Sequence, residues 1–145
     1  VSGGRGFLAS HLIERLIKEG YDATSWDIID GIDVCKEKYW NEKHLDGVFH
    51  FACPVDPAHY DQMALPTLLT SSVGTYNMLE IALLHSTKFL YVSSSEVYGE
   101  STKLPYREDD PGIISTLNPR SYYGESKRFG EMVTMVYHLS KRLEQ

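Results

Sequence analysis

A glycine-rich turn at the start of the chain constrains the fold more than any other feature of the sequence. Gly3, Gly6 and Ala9 fit the pattern G-x-x-G-x-x-A, and apolar residues at helical spacing follow as far as Glu19. Glycine at the first two positions lets the backbone turn tightly and approach a phosphate, and a small third residue lets helix and strand pack closely. The pattern therefore predicts a helix from Gly6 to Glu19 whose N-terminus can hold the pyrophosphate of a dinucleotide.

Predicted strands and helices alternate along the rest of the chain. The strands are expected at 21–27, 32–34, 47–52 and 88–93, and the helices at 66–85 and from 121 to about 141. A stretch rich in turn residues, 99–119, separates the last strand from the last helix. Alternation of this kind is typical of a parallel sheet with helices on both faces. We therefore predict an α/β fold, a Rossmann-like doubly wound parallel sheet.

The residues after the first predicted helix favour one type of dinucleotide. Asp27 closes the strand 21–27 about 20 residues after the glycine turn, where a carboxylate would accept hydrogen bonds from an adenosine ribose. A carboxylate there also repels a 2′-phosphate, so NAD is favoured over NADP, although an ordinary turn residue at a strand end is the alternative. Asp33 and Val34 are candidates for framing the adenine, and Arg5 for a contact with phosphate.

A Tyr-x-x-x-Lys unit lies near the end of the chain. Tyr123 and Lys127 are four residues apart, so they share one face of the predicted helix. A neighbouring ammonium stabilises a phenolate and lowers the pKa of a tyrosine, which suits proton exchange with a substrate hydroxyl. Ser94 follows a predicted strand, at the edge where open α/β sheets bind ligands, and Glu96 belongs to the same crevice. Such a unit also arises by chance in a chain with ten tyrosines, and a solvated loop carboxylate is the alternative for Glu96.

Composition and charge argue against several classes of function. The formal net charge of −6 disfavours non-specific binding of nucleic acid, which needs a basic face. No apolar run approaches the ~20 residues of a membrane-spanning helix. The two cysteines, Cys35 and Cys53, have neither metal-binding nor redox spacing, so no metal site is predicted and two free thiols in a reducing cytoplasm are expected.

Four stretches of sequence together resemble one enzyme family, the extended short-chain dehydrogenases/reductases. These are NAD-dependent nucleotide-sugar epimerases, dehydratases and decarboxylases. The stretches are Gly-Gly-Arg-Gly-Phe-Leu-Ala-Ser-His-Leu (3–12), Phe-His-Phe-Ala-Cys-Pro (49–54), Ser-Ser-Glu-Val-Tyr-Gly (94–99) and Pro-Arg-Ser-Tyr-Tyr-Gly-Glu-Ser-Lys-Arg (119–128). Within the family the chain is most similar to the UDP-glucuronate decarboxylases, on the residues 52–60, on Ser95-Glu96 before Val-Tyr-Gly, and on 118–121.

The resemblance implies a role for each matching residue. The family's catalytic residues correspond to Tyr123, Lys127, Ser94, Ser95 and Glu96, of which Ser95 and Glu96 are implicated in decarboxylation. Its NAD-binding residues correspond to Gly3, Gly6, Phe7, Leu8, Asp27, Asp33, Val34, Phe51, Ala52 and Cys53, together with Tyr123 and Lys127. In the implied mechanism the tyrosine takes the proton of the sugar 4-hydroxyl while C4 gives a hydride to NAD. The 4-keto sugar then loses carbon dioxide, and the returning hydride yields UDP-xylose and leaves NAD unchanged.

Three hypotheses about function stay open at this point. The first is a nucleotide-sugar decarboxylase, and the second is a nucleotide-sugar 4-epimerase or 4,6-dehydratase. The third is a non-catalytic NAD-binding module that acts as a redox sensor or scaffold, which would have no need for Ser94, Tyr123 and Lys127 together. The resemblance also implies a homodimer formed through the helices 66–85 and 121–141.

The sequence departs from the family pattern in three places. Ser71 stands where the family has asparagine, and the segment between Asp27 and Asp33 is shorter than in typical decarboxylases. Only Val1 and Ser2 precede the glycine turn, where a buried strand is expected. We therefore expect residues 1–145 to be a partial NAD-binding Rossmann domain, truncated at both ends, from a longer enzyme. The resemblance implies that this part lacks most of the substrate site and is inactive by itself.

Overall fold

The computed structural model describes residues 1–36, 43–54 and 60–140. Its regular elements are α1 (Phe7–Lys18), β1 (Gly47–His50), α2 (Tyr60–Leu69), α3 (Thr75–Leu84), β2 (Lys88–Tyr91) and α4 (Tyr122–Leu139). Short 3-10 turns follow at Ile28–Asp30, Ser95–Tyr98 and Pro119–Ser121. The predicted end of the last helix at Lys141, and part of the stretch 52–60, lie outside the described residues.

The sheet is parallel and its segments are not in chain order. β1 pairs with β2 from Gly47 opposite Lys88 to His50 opposite Tyr91. Ser2 forms parallel bridges with His50 on one side and with Trp26 on the other. The order across the sheet is therefore Trp26, Ser2, β1 and β2, with the first segment of the chain in the middle. A sheet that extends in both directions from its first strand is doubly wound, as predicted.

Two strand predictions were wrong: the first predicted strand is much shorter than expected, and the second does not form. Of the strand expected at 21–27, only Trp26 pairs in the sheet, because its neighbour Ser2 offers a very short partner segment. The chain then turns through Ile28–Asp30 and forms no strand at 32–34. The side chain of Val34 packs into the hydrophobic core instead. Apolar residues in so short a segment signalled burial without revealing the backbone conformation.

One long helix connects β1 and β2. α2 and α3 are joined by a π-helical turn, Thr70–Gly74, with helical dihedral angles at both junctions. The prediction that this helix begins at Pro66 was wrong, because Pro66 lies inside α2. Proline is common at the first position of a helix, which favoured a start at Pro66. Among the helices that the structure describes, none is long and apolar enough to cross a membrane.

The core lies between α3 and the sheet. Four apolar side chains of α3 are fully buried: Met78, Leu79, Ile81 and Ala82. They pack with residues from the sheet, from the segment after it and from α4. Those partners are Trp26, Val34, Val48 and Tyr137. Complete burial of a large apolar side chain stabilises a fold by about 1.5–3 kcal/mol, so α3 is the main anchor of the domain. The hydroxyl of Tyr137 donates a hydrogen bond to Glu80 and so ties α4 to α3.

Candidate active site

The glycine turn is fixed between two neighbouring segments of the sheet. The amide of Gly3 donates to the Trp26 carbonyl at 2.7 Å, and the amide of Gly6 donates to the Gly3 carbonyl at 2.9 Å. Gly3 has a φ of +69°, and a Cβ there would lie 2.7 Å from the Ala52 nitrogen. Glycine is therefore required at position 3, both for the dihedral angle and for the close approach to Ala52.

The turn leads into an exposed helix N-terminus. Gly6 is the N-cap of α1 and carries no side chain that could accept from the first amides of the helix. Phe7 and Leu8 in this first turn are 77% and 61% exposed, whereas Ala9 is buried, as expected of the small third residue of the motif. The first amide groups of a helix lack partners within it and carry a partial positive charge, so this end of α1 is suited to bind an anion.

Asp27 lies beside the glycine turn. Its carboxylate accepts from the Arg5 amide and from the Ile29 amide, each at 3.0 Å. A carboxylate has about four lone-pair sites, so it keeps acceptor capacity beyond these two bonds. The contact places an acidic group directly against the backbone of the turn that would hold a pyrophosphate.

Arg5 has a partner that the sequence did not reveal. Its guanidinium binds both carboxylate oxygens of Asp30, with nitrogen to oxygen distances of 2.7 to 3.1 Å. Hydrogen bonding to Arg5 lowers the pKa of Asp30. The predicted contact of Arg5 with phosphate therefore competes with an ion pair that already uses Nε and Nη2 of the guanidinium. An acid three residues after Asp27 was the available signal for this pair.

Asp33 and Val34 have structural partners of their own. The Asp33 carboxylate accepts from the Cys35 amide at 2.9 Å, which lowers the pKa of Asp33, and it pairs with Lys36 at 3.1 Å. The Val34 side chain is in the core, and its carbonyl accepts from Asn77 Nδ2 at 2.8 Å. A role for these residues at an adenine stays a prediction.

Lys127 is a buried ammonium within the predicted pair. Its side chain lies on the same face of α4 as Tyr123, with Nζ 5.9 Å from the centroid of that ring. The residue is 3% exposed, and Nζ donates to the Val92 carbonyl at 2.8 Å, just beyond the end of β2. Burial lowers the pKa of Lys127, and the sulfur of Cys53 partly offsets that effect.

The predicted serine and acidic cluster lies against the start of α4. Ser94 Oγ accepts from the Glu96 amide at 3.3 Å and caps the turn Ser95–Tyr98. The Glu96 carbonyl packs on the backbone of Gly124, the residue after Tyr123. The side chains of Ser95 and Glu96 are exposed. The structure thus brings the 94–96 segment next to the turn of helix that carries Tyr123.

Two further hydrogen bonds hold this segment in place. Arg128 Nη1 donates to the Val97 carbonyl at 3.1 Å, and Ser93 Oγ donates to Glu131 at 2.5 Å. Together with the bond from Lys127 to Val92, they connect the segment after β2 to three residues of α4, Lys127, Arg128 and Glu131. The predicted catalytic residues therefore lie on two segments that are joined by hydrogen bonds.

The segment Phe51–Cys53 connects the two halves of the site. Ala52 contacts the glycine turn at Gly3, whereas Cys53 lies beside Lys127. Cys53 Sγ is also 3.4 Å from Ser71 Oγ. Ser71, which departs from the family pattern, is fully buried in the π-helical turn. The glycine turn and the tyrosine–lysine pair thus lie on either side of one three-residue segment.

Two residues that support the site were not singled out from the sequence, His50 and Tyr91. His50 is buried, with Nδ1 2.6 Å from Ser2 Oγ and Nε2 3.1 Å from Thr75 Oγ1. Burial, with a smaller effect of the Lys127 charge, lowers the pKa of His50 to about 3, so the ring is neutral. Tyr91 faces it at a ring separation of 5.8 Å. The two-residue alternation of side chains in a strand was the signal that both would face the helices.

Comparisons with known proteins agree with this arrangement. The model of the NAD dependent epimerase/dehydratase family matches residues 1–144. UDP-glucuronic acid decarboxylase 4 of Arabidopsis thaliana is 32% identical, and the match covers 99% of this chain and 36% of that protein. The zebrafish (Danio rerio) UDP-glucuronic acid decarboxylase 1 is 29% identical, with coverages of 99% and 38%. The chain thus spans little more than a third of the length of these relatives.

Solved structures confirm the doubly wound fold. UDP-glucose 4-epimerase from Bifidobacterium longum, in complex with NAD+ and UDP, is 28% identical with a TM-score of 0.77, and the match covers 96% of this chain and 48% of that one. An NAD-dependent NDP-hexosamine 5,6-dehydratase of tunicamycin biosynthesis is 26% identical with a TM-score of 0.77, over 94% of this chain and 48% of that one.

Proposed function

The chain belongs to the NAD-dependent epimerase/dehydratase family, and from that premise we propose that it is the NAD-binding part of an enzyme that converts UDP-glucuronate to UDP-xylose. Its similarity to UDP-glucuronic acid decarboxylases over 99% of its length favours decarboxylation. One observation carries the proposal. The glycine turn and the buried Lys127 meet across Phe51–Cys53, so a dinucleotide on the turn and a substrate beside Tyr123 would be neighbours.

The residues present fit NAD. The absent side chain of Gly3 leaves room beside Ala52, and the uncapped end of α1 at Phe7 and Leu8 offers amide donors for a pyrophosphate. Asp27 keeps acceptor capacity for the ribose hydroxyls and would repel a 2′-phosphate. When bound, NAD supplies the two-electron oxidation and later reduction at C4 of the sugar, which places the C5 carboxylate β to a ketone and lets it leave as carbon dioxide.

Tyr123 and Lys127 manage the proton in this proposal. Tyr123 accepts the proton of the sugar 4-hydroxyl and returns it at the end of the cycle, as a general base and then a general acid. The ammonium of Lys127, held by the Val92 carbonyl, stabilises the phenolate form and contributes a donor toward the cofactor ribose. Because Lys127 is buried, its charge is poorly screened by water and acts strongly on its neighbours.

The 94–96 segment positions the sugar. The hydroxyl of Ser94 orients the same 4-hydroxyl that Tyr123 deprotonates, and its fixed place at the cap of Ser95–Tyr98 supports that role. Ser95 and Glu96 are exposed beside the start of α4 and serve the decarboxylation step. Glu96 can deliver the proton that replaces the departing carboxylate on C5.

The decisive experiment is mass spectrometry of UDP-glucuronate incubated with NAD and the complete protein. We expect the substrate to lose the mass of carbon dioxide, with no net formation of NADH, since the hydride returns to the product. UDP-glucose under the same conditions is the control and should not change mass. An unchanged UDP-glucuronate, or a product that keeps its carboxylate, would overturn the decarboxylase proposal.

A 4-epimerase or a dehydratase is the second candidate. Solved relatives include a UDP-glucose 4-epimerase and a 5,6-dehydratase, at identities close to that of the decarboxylases. These enzymes would use the same Tyr123 and Lys127 but a different substrate. Neutral UDP-, GDP- and dTDP-hexoses are therefore the next substrates if no carbon dioxide is lost. A non-catalytic NAD-binding module would turn over none of them.

A homodimer through the helix pair of α2–α3 and α4 is also part of the proposal. These helices pack side by side, and each exposes apolar side chains on its outer face. On the helix formed by α2 and α3 the exposed residues are Leu65, Leu68, Leu69, Val73 and Tyr76. On α4 they are Phe129, Met132, Met135, Val136 and Leu139. A contiguous apolar face of this kind is typical of a protein interface.

Met132→Glu is expected to dissociate such a dimer, because it would bury a carboxylate in the apolar contact. Sedimentation velocity of the complete protein measures the effect, with Ile17→Glu on α1 as the matched control. Met132 and Ile17 are 64% and 56% exposed, so both substitutions are tolerable in a monomer. If the Met132 variant sediments like the unaltered dimer, this face is not the interface.

We also propose a cytoplasmic location. The proposal rests on Cys35 and Cys53, which are free thiols and would stay reduced in that compartment. Cys53 lies beside Lys127, so an oxidised derivative at this position would alter the surroundings of the buried ammonium.

A further inference from the structure

The aromatic ring of Tyr91 lies between two residues of α4. Lys127 Nζ is 5.0 Å from the centroid of this ring, closer than it is to the ring of Tyr123. Gly130, one turn further along the helix, packs directly on the ring, and a Cβ at that position would overlap its outer atoms. Because Gly130 has no side chain, the ring of Tyr91 lies against the backbone of α4, close to the Lys127 ammonium.

The hydroxyl of Tyr91 does not explain this placement. It is buried, and within the described residues it makes no hydrogen bond of acceptable geometry. It faces the hydroxyls of Ser71 and Thr75, and burial raises the pKa of Tyr91, so the phenol stays neutral. A buried hydroxyl that makes no hydrogen bond is unfavourable, because it has lost its bonds to water. The contact that Tyr91 makes with the tyrosine–lysine pair is that of its ring with the Lys127 ammonium.

Lys127 needs compensation for its burial. Its Nζ has three donors, of which one binds the Val92 carbonyl and another faces the sulfur of Cys53. His50 from β1 is neutral, and Tyr123 shares the face of α4. Glu131, also on α4, accepts from Ser93 and acts on Tyr91. Among these groups, the rings of Tyr91 and Tyr123 favour the charged form without using a donor, and the ring of Tyr91 lies nearer to the ammonium.

We propose that Tyr91 is a positioning residue for Lys127, whose aromatic face holds the ammonium in place and keeps it protonated beside Tyr123. The consequence for turnover rests on the proposed function, whereas the effect on Lys127 itself does not. A neutral amine at position 127 would neither stabilise a phenolate at Tyr123 nor hold its place on the ring. Tyr91 would thus widen the pH range in which the tyrosine–lysine pair works.

The test compares Tyr91→Leu, which removes the ring, with Tyr91→Phe, which keeps it and removes the unpartnered hydroxyl. Competitive acylation of the complete protein between pH 7 and 11, followed by peptide mass spectrometry, measures the pKa of Lys127 in each. We expect Tyr91→Phe to match the unaltered protein. In Tyr91→Leu we expect the pKa of Lys127 to be lower by about half to one pH unit. Equal values in the two variants would overturn the proposal.

A second series covers the case in which Tyr91→Leu does not fold. Phenylalanines with increasing numbers of ring fluorines at position 91 keep the size of the ring and progressively weaken its negative face. The pKa of Lys127 should fall stepwise along the series, and a constant value contradicts a role for the ring.

Turnover provides a separate readout. The alkaline limb of the kcat/KM profile should move to lower pH in Tyr91→Leu and stay in place in Tyr91→Phe. If the unaltered complete protein turns over no nucleotide sugar, the proposed function fails, but the acylation experiment still decides the role of Tyr91.

Discussion

Tyr123→Phe is expected to lower turnover of UDP-glucuronate by the complete protein by about 10²- to 10⁴-fold, the range for loss of a general acid–base group. The variant keeps the aromatic ring near Lys127, so packing in this part of α4 is retained. NAD affinity should stay within about twofold, because the glycine turn and Asp27 are untouched. Steady-state kinetics and fluorescence titration of NAD measure the two quantities.

Tyr122→Phe is the matched control for this prediction. It removes the same hydroxyl one residue earlier, about 100° around the helix from Tyr123. The catalytic assignment requires that the control keep most of its turnover while Tyr123→Phe loses it. If both variants remain active, the proton of the sugar 4-hydroxyl goes to another group. If both lose NAD binding as well, the loss reports on folding rather than on chemistry.

Gly3→Ala has the second largest expected effect, on NAD binding and on stability together. An alanine at this position would adopt a φ of +69° and bring its Cβ within 2.8 Å of the Ala52 nitrogen and Cα. The dihedral strain alone costs about 1–3 kcal/mol, and the overlap with backbone adds to it. We expect the melting temperature to fall by several degrees and NAD affinity to fall at least tenfold, since the turn must move away from Ala52.

Gly20→Ala is the matched control, because it tests the effect of backbone strain without a steric overlap of the new Cβ. Gly20 has a φ of +89°, but a Cβ there would have nothing within 4 Å. Its alanine variant therefore suffers the strain without the collision, and it lies at the far end of α1 from the site. Differential scanning calorimetry should show a smaller loss of stability for Gly20→Ala and titration an unchanged affinity for NAD. An equal loss of NAD affinity in both variants would mean that the glycine turn has no special role.

The spacing of residues along the sequence was enough to predict those parts of the site that are formed by a single stretch of chain. The four-residue interval of Tyr123 and Lys127 placed both on one face of α4, because a helix repeats every 3.6 residues. The G-x-x-G-x-x-A pattern located the turn, the start of α1 and the buried Ala9 together. Asp27 was found at the turn because the length of one helix and its return connection is nearly constant in such folds.

Features that depend on contacts between distant segments were not predictable from one sequence. The pairing of Arg5 with Asp30 requires the turn Ile28–Asp30 to fold back on the glycine loop, and spacing alone does not show this. The placement of the Tyr91 ring depends on the absence of a side chain at Gly130, 39 residues later in the chain. The packing of the Val34 side chain in the core was also not predictable, because a lone apolar residue after a turn is compatible with the core or with a ligand contact.

The division of the site between two parts of the chain has a consequence for how long the cofactor stays on the protein. The glycine turn has its partners at Trp26 and Ala52, whereas the proton-transfer pair depends on contacts between α4 and the segment after β2. Opening of α4 alone would release the second set and leave the first closed. In the proposed reaction, which returns its cofactor unchanged, sugars would then enter and leave through many cycles while one NAD molecule stays in place.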